Sequence, residues 1–456
     1  VKKSLLALCA LATLAAHCRW TLRELPEAPD DASTDAATPG VFPLCTSPGP
    51  TPNPSQPDAG APLRHHVTLA RPTTADIGRG ACVGDLDGDR TLELVVLRAD
   101  AFAEVYDPSS LCLRATIGVA PHGRACAIED LDGDGRPELA LAHSVRFAAR
   151  LRETYEQRAL DSVTVGHLEP PEPGSTRWHW RWPMSWSLAE DRHVRGVGHV
   201  LVALDLDRDG HRELAVAGTI TTEERTQSAF VRAWEWTPEG CVGERACPRA
   251  VYDREFFDTL DTNDLFVVST DADPEPELAI DLGCNGGGLF AVDGTWSRAP
   301  TLLASVGQPS HGAFGDVDGD GSNDYLAAIT PRCTTGADSA LRWLRPRGGA
   351  YRYYAEAPSP EHRRAAQSMV AAIDVIGDSR PEALFCSRNG DAIGRHPIRC
   401  DLFSFDPPHI DQIWSWIEPE THADMISRII VADVNGDGGD DAIVVTQSRV
   451  HVLLHR

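Results

Sequence analysis

Short runs of apolar residues recur along this chain in pairs, and seven times a compact acidic loop separates the two members of a pair. The fullest example leads from Arg124-Ala-Cys-Ala-Ile128 through Asp130-Leu-Asp132-Gly-Asp134-Gly-Arg-Pro-Glu138 into Leu139-Ala-Leu-Ala. Runs this short, rich in Ala, Leu and Val, predict strands buried on both faces. Comparable pairs are Cys82–Val83 with Leu92–Leu97, Val200–Leu204 with Glu213–Ala217, and Ile429–Ala432 with Ala442–Thr446. The loops begin at Asp85, Asp130, Asp205, Ser269, Asp316, Asp374 and Asp433, with spacings of 45, 75, 64, 47, 58 and 59 residues. A repeat of that size with several short strands per copy predicts a solenoid or a propeller.

Within each loop, side-chain oxygens fall at places one, three, five and nine. The sets are Asp85, Asp87, Asp89 and Glu93; Asp130, Asp132, Asp134 and Glu138; Asp205, Asp207, Asp209 and Glu213; and Asp316, Asp318, Asp320 and Asp324. The seventh loop has Asp433, Asn435, Asp437 and Asp441. Odd places in a tight turn converge on one point, and glycines at places four and six permit the turn. A flexible cage of six to eight oxygens suits calcium, whereas magnesium demands a compact octahedron and keeps its waters. The fourth loop is poorer, with Asp271, Asp273 and Glu277 after Ser269 and with Pro274 at a glycine place. The sixth has Asp374, Asp378 and Glu382, but Ile376 stands where the second ligand belongs. Calcium is therefore expected at about five sites, six if the fourth loop fills, and not at the sixth loop. Asp-Gly turns that merely join hairpins are the plainer reading, but it does not explain five complete donor sets.

This string, Asp-x-Asp-Gly-Asp-Gly-x-x-Asp/Glu-Leu, resembles the FG-GAP and VCBS repeats of bacterial surface proteins and the blades of integrin alpha-subunit propellers. The resemblance covers about residues 64–456. It implies an all-β, seven-bladed β-propeller with one blade per repeat and calcium in the loop joining the first two strands of each. It implies little about ligand or activity, since one scaffold hosts many roles. After the seventh loop only Ala442–Thr446 and Val450–Leu454 fit as strands, while the strand-like His65-His-Val-Thr-Leu-Ala70 has no blade of its own. The latter is expected to complete the last blade and close the ring.

The chain has 456 residues and a formal charge of −25, and the acidic loops alone hold 25 carboxylates. The acidity is thus accounted for by cation sites, and no Lys/Arg cluster offers a nucleic-acid footprint. Lys2, Lys3 and the apolar stretch from Leu5 to Ala16 read as an export signal over residues 1–18, too short to span a bilayer. It ends in Leu14-Ala-Ala-His-Cys18, which looks like a lipoprotein signal with a lipid anchor at Cys18. Residues 19–63, rich in Pro, Ala and Asp, read as a flexible tether. Twelve cysteines suit an oxidising destination. Cys386 and Cys400 are placed to clamp a hairpin in blade six, Cys241 and Cys247 enclose a short loop, and Cys284 and Cys333 follow the second strands of blades four and five. The connectivity of Cys45, Cys82, Cys112 and Cys126 stays open.

Trp178, Trp180 and Trp182 alternate along one strand, with Trp186 nearby. Packing between blades is the favoured use of these indoles; stacking on sugar rings is the other. Arg79, Arg124, His199, Asp264, His311, Ser368 and Arg428 stand at the starts of the innermost strands and would ring a channel mouth. No nucleophile motif, cofactor fingerprint or zinc-type cluster appears. The expected function is therefore a secreted or lipid-anchored, monomeric calcium-binding propeller that engages a protein or glycan ligand. The alternative is a carbohydrate-active enzyme, a polysaccharide lyase or hydrolase, acting at the channel mouth.

Overall fold

The computed structural model describes residues 62–70, 80–98, 102–118, 123–143, 162–169, 177–188, 195–206, 208, 210, 212–221, 227–237, 247–256, 262–269, 276–282, 288–292, 300–305, 309–329, 339–358, 365–389, 397–418 and 425–455. Among them every regular element is a strand. The export signal, most of the tether, Arg79, Cys45, Cys241, Cys284 and Cys333 lie outside the described residues, as do the side chains of Trp178, Trp182, His199 and Cys247.

The first strand is β1 (Leu63–Ala70). Blade one follows as β2 (Ala81–Gly84), β3 (Glu93–Leu97), β4 (Phe102–Asp107) and β5 (Cys112–Gly118), and blade two as β6 (Gly123–Glu129), β7 (Glu138–His143), β8 (Ser162–Glu169) and β9 (Arg177–Ser187). Blade three is β10 (Arg195–Leu204), β11 (Glu213–Thr221), β12 (Gln227–Thr237) and β13 (Cys247–Phe256). Blade four is β14 (Thr262–Val268), β15 (Glu277–Leu282), β16 (Leu289–Val292) and β17 (Thr301–Ala304). Blade five is β18 (Pro309–Gly315), β19 (Asp324–Ile329), β20 (Ala340–Pro346) and β21 (Tyr351–Pro358). Blade six is β22 (Ala365–Ile373), β23 (Glu382–Asn389), β24 (Ile398–Asp406) and β25 (His409–Ile417), and the chain ends in β26 (Ile426–Ala432), β27 (Asp441–Thr446) and β28 (Arg449–His455).

Each blade is an antiparallel meander, and the innermost strands β2, β6, β10, β14, β18, β22 and β26 touch in succession, with β26 meeting β2 again. The molecule is a seven-bladed propeller. The seventh blade takes its outer strand from the other end of the chain: β1 pairs antiparallel with β28, from Leu63 opposite His455 to Ala70 opposite Arg449. A short parallel contact, Thr116 and Ile117 with Arg177 and Trp178, joins the outer edges of blades one and two.

The core is divided among the blade interfaces. Seven apolar clusters lie one between each consecutive pair of blades. This is why the second strands β3, β7, β15, β19 and β27 are buried at every position. A strand packed on both faces has no solvent side, and beyond the leading acid these sequences are apolar except for His143, Asp281 and Thr446. Trp180 joins the cluster between blades one and two and donates its indole N–H to the Gly118 carbonyl at 2.6 Å. Trp186 packs edge-on against Trp234 and Trp236 between blades two and three. Interblade packing is thus the use the structure makes of these indoles.

Disulfides reinforce two levels of this architecture. Cys82–Cys126 ties β2 to β6, the innermost strands of neighbouring blades, and Cys386–Cys400 clamps β23 to β24 within blade six. Cys112 is disulfide-bonded as well.

Candidate metal loops and the channel

Each acidic loop joins an innermost strand to the second strand of its blade, and its carboxylates first build the turn. The place-one carboxylate accepts backbone N–H groups from the far side. Gly88 and Arg90 donate to Asp85 at 2.8 Å, Gly135 to Asp130 at 2.9 Å, and Gly321 to Asp316 at 2.8 Å. Gly436 and Gly438 bind Asp433 in the same way, at 2.7 and 2.9 Å. Place five does the same over two residues, as in Arg136 to Asp134 and Ser322 to Asp320, both 2.9 Å. At place nine the carboxylate is buried at the head of the second strand and accepts the N–H of place two. Leu86 binds Glu93 at 2.9 Å, Leu131 binds Glu138 at 2.7 Å, Leu206 binds Glu213 at 2.8 Å and Val434 binds Asp441 at 2.9 Å. Glycines 133 and 135 take φ of +73° and +85°, the left-handed conformation that the turn requires.

Asp130 and Glu138 spend one oxygen on the backbone while the other meets no hydrogen bond, whereas Asp85, Asp316, Asp433 and Asp441 spend both. Donor oxygens of Asp85, Asp87 and Glu93 gather in the first loop, and those of Asp316, Asp318 and Asp320 in the fifth. In the second loop Asp132, Asp134 and Glu138 are joined by His167, with all four donor atoms within 4.8 Å of one another. Asp89, Asp130 and Asp324 stand outside these three groups. Asp130 Oδ1, Glu138 Oε1 and Asp205 Oδ1 are buried and meet no hydrogen bond. Buried carboxylate oxygens of that kind call for a cation. Burial also pushes the place-nine acids up, Glu93 to about 7, Glu138 to about 8 and Asp324 to about 7. A bound divalent ion would reverse that shift by stabilising the ionised form.

The loops do not fit a metal equally well. The first and second fit, although Arg114 reaches Glu93 at 2.9 Å in the first. In the fifth, Arg345 from β20 already supplies a positive charge, 2.6 Å from Asp318 and in contact with Asp320. The sixth keeps the turn without the donors. Asp374 accepts from Gly377 and Ser379 at 2.7 and 3.0 Å, Ile376 is exposed, and Asp378 is held by Arg380 at 2.6 Å. In the seventh, the Asn435 amide donates to Asp437 at 2.9 Å. Asp207, Asp209, Asp271 and Asp273 lie outside the described residues; of the same loops, Asp205, Glu213 and Glu277 are in place at the strand ends.

His167 and Arg345 carry no signal near the loops in sequence. They arrive from third strands, opposite place nine, and only the strand register brings them in: Leu139 pairs with Gly166, and Tyr325 with Leu344.

At the other ends of the innermost strands, β6, β10, β14, β18, β22 and β26 each shift register near their start. Asp264, His311 and Arg428 each follow such a bulge and occupy equivalent positions, opposite Asp281, Ala328 and Val445, whereas in β22 the bulge falls further from the loop, ahead of Gln367. Ser368, grouped with that ring by sequence, is instead fully buried and donates to the Ile329 carbonyl at 3.2 Å. Burial lifts Asp264 to about 6, against the pull of Arg428. Burial and Arg428 together lower His311 to about 4. Both groups thus move towards their neutral forms. Arg428 itself donates to the Ala81 carbonyl at 3.1 Å, across the closure of the ring.

No protein-family model and no curated protein matches the chain. Solved structures do. BBS1N in complex with ARL6DN, soaked with lead, superposes with a TM-score of 0.52 at 10% identity, over 87% of this chain and 97% of that one. The mercury-soaked form of that complex gives 0.50 at 11% identity, over 87% and 97%. The rhamnogalacturonan lyase PL11 of Bacillus licheniformis gives 0.45 at 14% identity, over 86% and 74%. At such identities the likeness to the first two is one of fold alone.

Proposed function

We propose that this protein is an exported, calcium-stabilised propeller of the FG-GAP/VCBS kind that serves as a binding module for a protein partner. The observation that carries the metal half is the gathering of side-chain donors in separate blades, each around buried carboxylate oxygens. Calcium joins the ends of a loop across the first two strands and so braces, at one rim, the blades whose loops keep their donors. The disulfides fit an oxidising compartment, in line with an export signal and a lipid anchor at Cys18.

Two features favour a protein over a glycan. Trp180 and Trp186, which would have stacked on sugar, are committed to interblade packing. Large apolar side chains are instead exposed on the outermost strands of three consecutive blades: Leu302 on β17, Tyr353 and Tyr354 on β21, and Ile413 and Ile417 on β25. Apolar groups on open sheet edges mark a surface for another chain. BBS1N, a propeller of similar shape, was crystallised with a protein partner.

The test compares the parent with a variant carrying Tyr353→Ser, Ile413→Thr and Ile417→Thr. Each is immobilised beside a glycan array and a fractionated set of surface proteins. The reading predicts one saturable protein ligand, lost in the variant at unchanged melting temperature. Glycan binding unaffected by the variant would replace protein with sugar. Turnover of acidic polysaccharide, abolished by Asp264→Asn with His311→Asn, would make the molecule an enzyme.

A further inference from the structure

Among the described residues, the second loop is the one whose close group of donors includes an imidazole; in the seventh, His455 Nδ1 stands 3.8 Å from Asp437 Oδ1, outside any such group. We propose that Asp132, Asp134, Glu138 and His167 form a mixed nitrogen–oxygen site that takes a borderline divalent transition metal, zinc foremost, in preference to calcium. The proposal rests on the reading that the loops hold cations and adds which cation this one selects.

Geometry carries the argument. The imidazole lies among three carboxylates: Nδ1 is 3.0 Å from Glu138 Oε1, and Nε2 is 3.7 Å from Asp134 Oδ2 and 3.9 Å from Asp132 Oδ2. Donors bound to zinc at its usual bond lengths of about 2.0–2.2 Å lie about 3.4 Å apart in a tetrahedron. One ion takes one imidazole nitrogen: from Nε2 the Asp134 and Asp132 oxygens stand slightly wider than that value, at 3.7 and 3.9 Å, and one donor atom from each of the four residues lies within 4.8 Å of the others. Glu138 is almost wholly buried; its Oε2 is fixed by the Leu131 N–H, while its Oε1 meets no hydrogen bond although it touches the imidazole. A buried carboxylate oxygen beside the ring, without a hydrogen bond, is available to an ion held by the same imidazole.

The chemistry agrees. Calcium seeks six to eight hard oxygens and gains little from imidazole. Imidazole suits zinc and its first-row neighbours, and the Irving–Williams order places zinc above manganese and iron for such a set. Asp130, which would complete an all-oxygen cage, is outside the group and holds the Gly135 N–H at 2.9 Å. The groups in the first and fifth loops contain carboxylates alone.

The experiment uses the full chain, stripped of metal, saturated with calcium and then titrated with zinc, with bound metals counted by elemental analysis. The parent should retain one more zinc per chain than His167→Gln, held against a hundredfold excess of calcium. The exposed Asp134→Asn, which leaves the strands untouched, should weaken the same site by roughly tenfold or more. Cobalt in place of zinc should give a visible absorption band that His167→Gln removes. Equal zinc binding by parent and both variants, or ready displacement by calcium, would overturn the proposal while leaving calcium in the loops. Silence towards both metals would overturn the cation reading beneath it.

Discussion

Residue by residue, the loops divide their work between shape and charge. Gly135 illustrates shape alone: at φ +85° a Cβ would meet nothing within 4 Å. Gly135→Ala should therefore cost about 1–2 kcal/mol through backbone strain, with no clash to relieve. The sixth loop already carries such a residue, Ser379 at φ +68°, so Ser379→Gly should be neutral or stabilising in a thermal melt. Charge shows in the place-nine acids. Without metal, Glu93 and Glu138 have folded values raised to about 7 and 8 from 4.5. Such groups contribute stability below their unfolded value and lose it as pH rises through the folded one. The chelated protein should thus melt at progressively lower temperature as pH climbs from about 4.5 to about 8, and level off above that. Calcium, which binds the ionised form, should remove that slope. A chelated protein with no slope in this range would place these carboxyls in water.

At the scale of elements, β1 decides whether the ring is closed. Its Leu63 is buried in the cluster between blades six and seven, and its Val67 in the cluster between blades seven and one. A strand wedged into two cores contributes about 1.5–3 kcal/mol for each such side chain, beyond its ladder to β28. Leu63→Ala should cost about 2–5 kcal/mol. Removing residues 1–71 should destabilise far more than removing 1–60, and equal melting temperatures for the two truncations would refute closure by β1. Much of this level was legible in sequence. The apolar runs Leu139–Ala142 of β7 and Ala442–Val445 of β27 announce strands packed on both faces, and the loop before each sets where they start. The places of the bulges were not legible: in β22 the bulge falls between Ala365 and Gln367, further from the loop than in β14, β18 and β26, and Ser368 is in the core. Nor were His167 and Arg345, which reach the loops only through cross-strand register.

On the scale of the molecule, the seven loops concentrate negative charge, and the chain's formal charge is −25. Like charges so gathered oppose the compact state unless cations offset them. The protein offsets some itself: Arg345 enters the fifth loop and Arg114 the first. On the proposed reading, the rest falls to metal. Arg345→Gln should accordingly add one calcium to the number bound, at little cost to the fold. The most direct measurement of the central claim is the melting temperature of the full chain against free calcium, with bound ions counted in parallel. A single site held at a hundredfold excess over its dissociation constant contributes about 2.7 kcal/mol. The account predicts a melt that rises with calcium by at least that equivalent, falls on chelation, and reports more than one ion per chain. A melt indifferent to chelator, with no calcium bound, would contradict it and leave the acidic loops as turns.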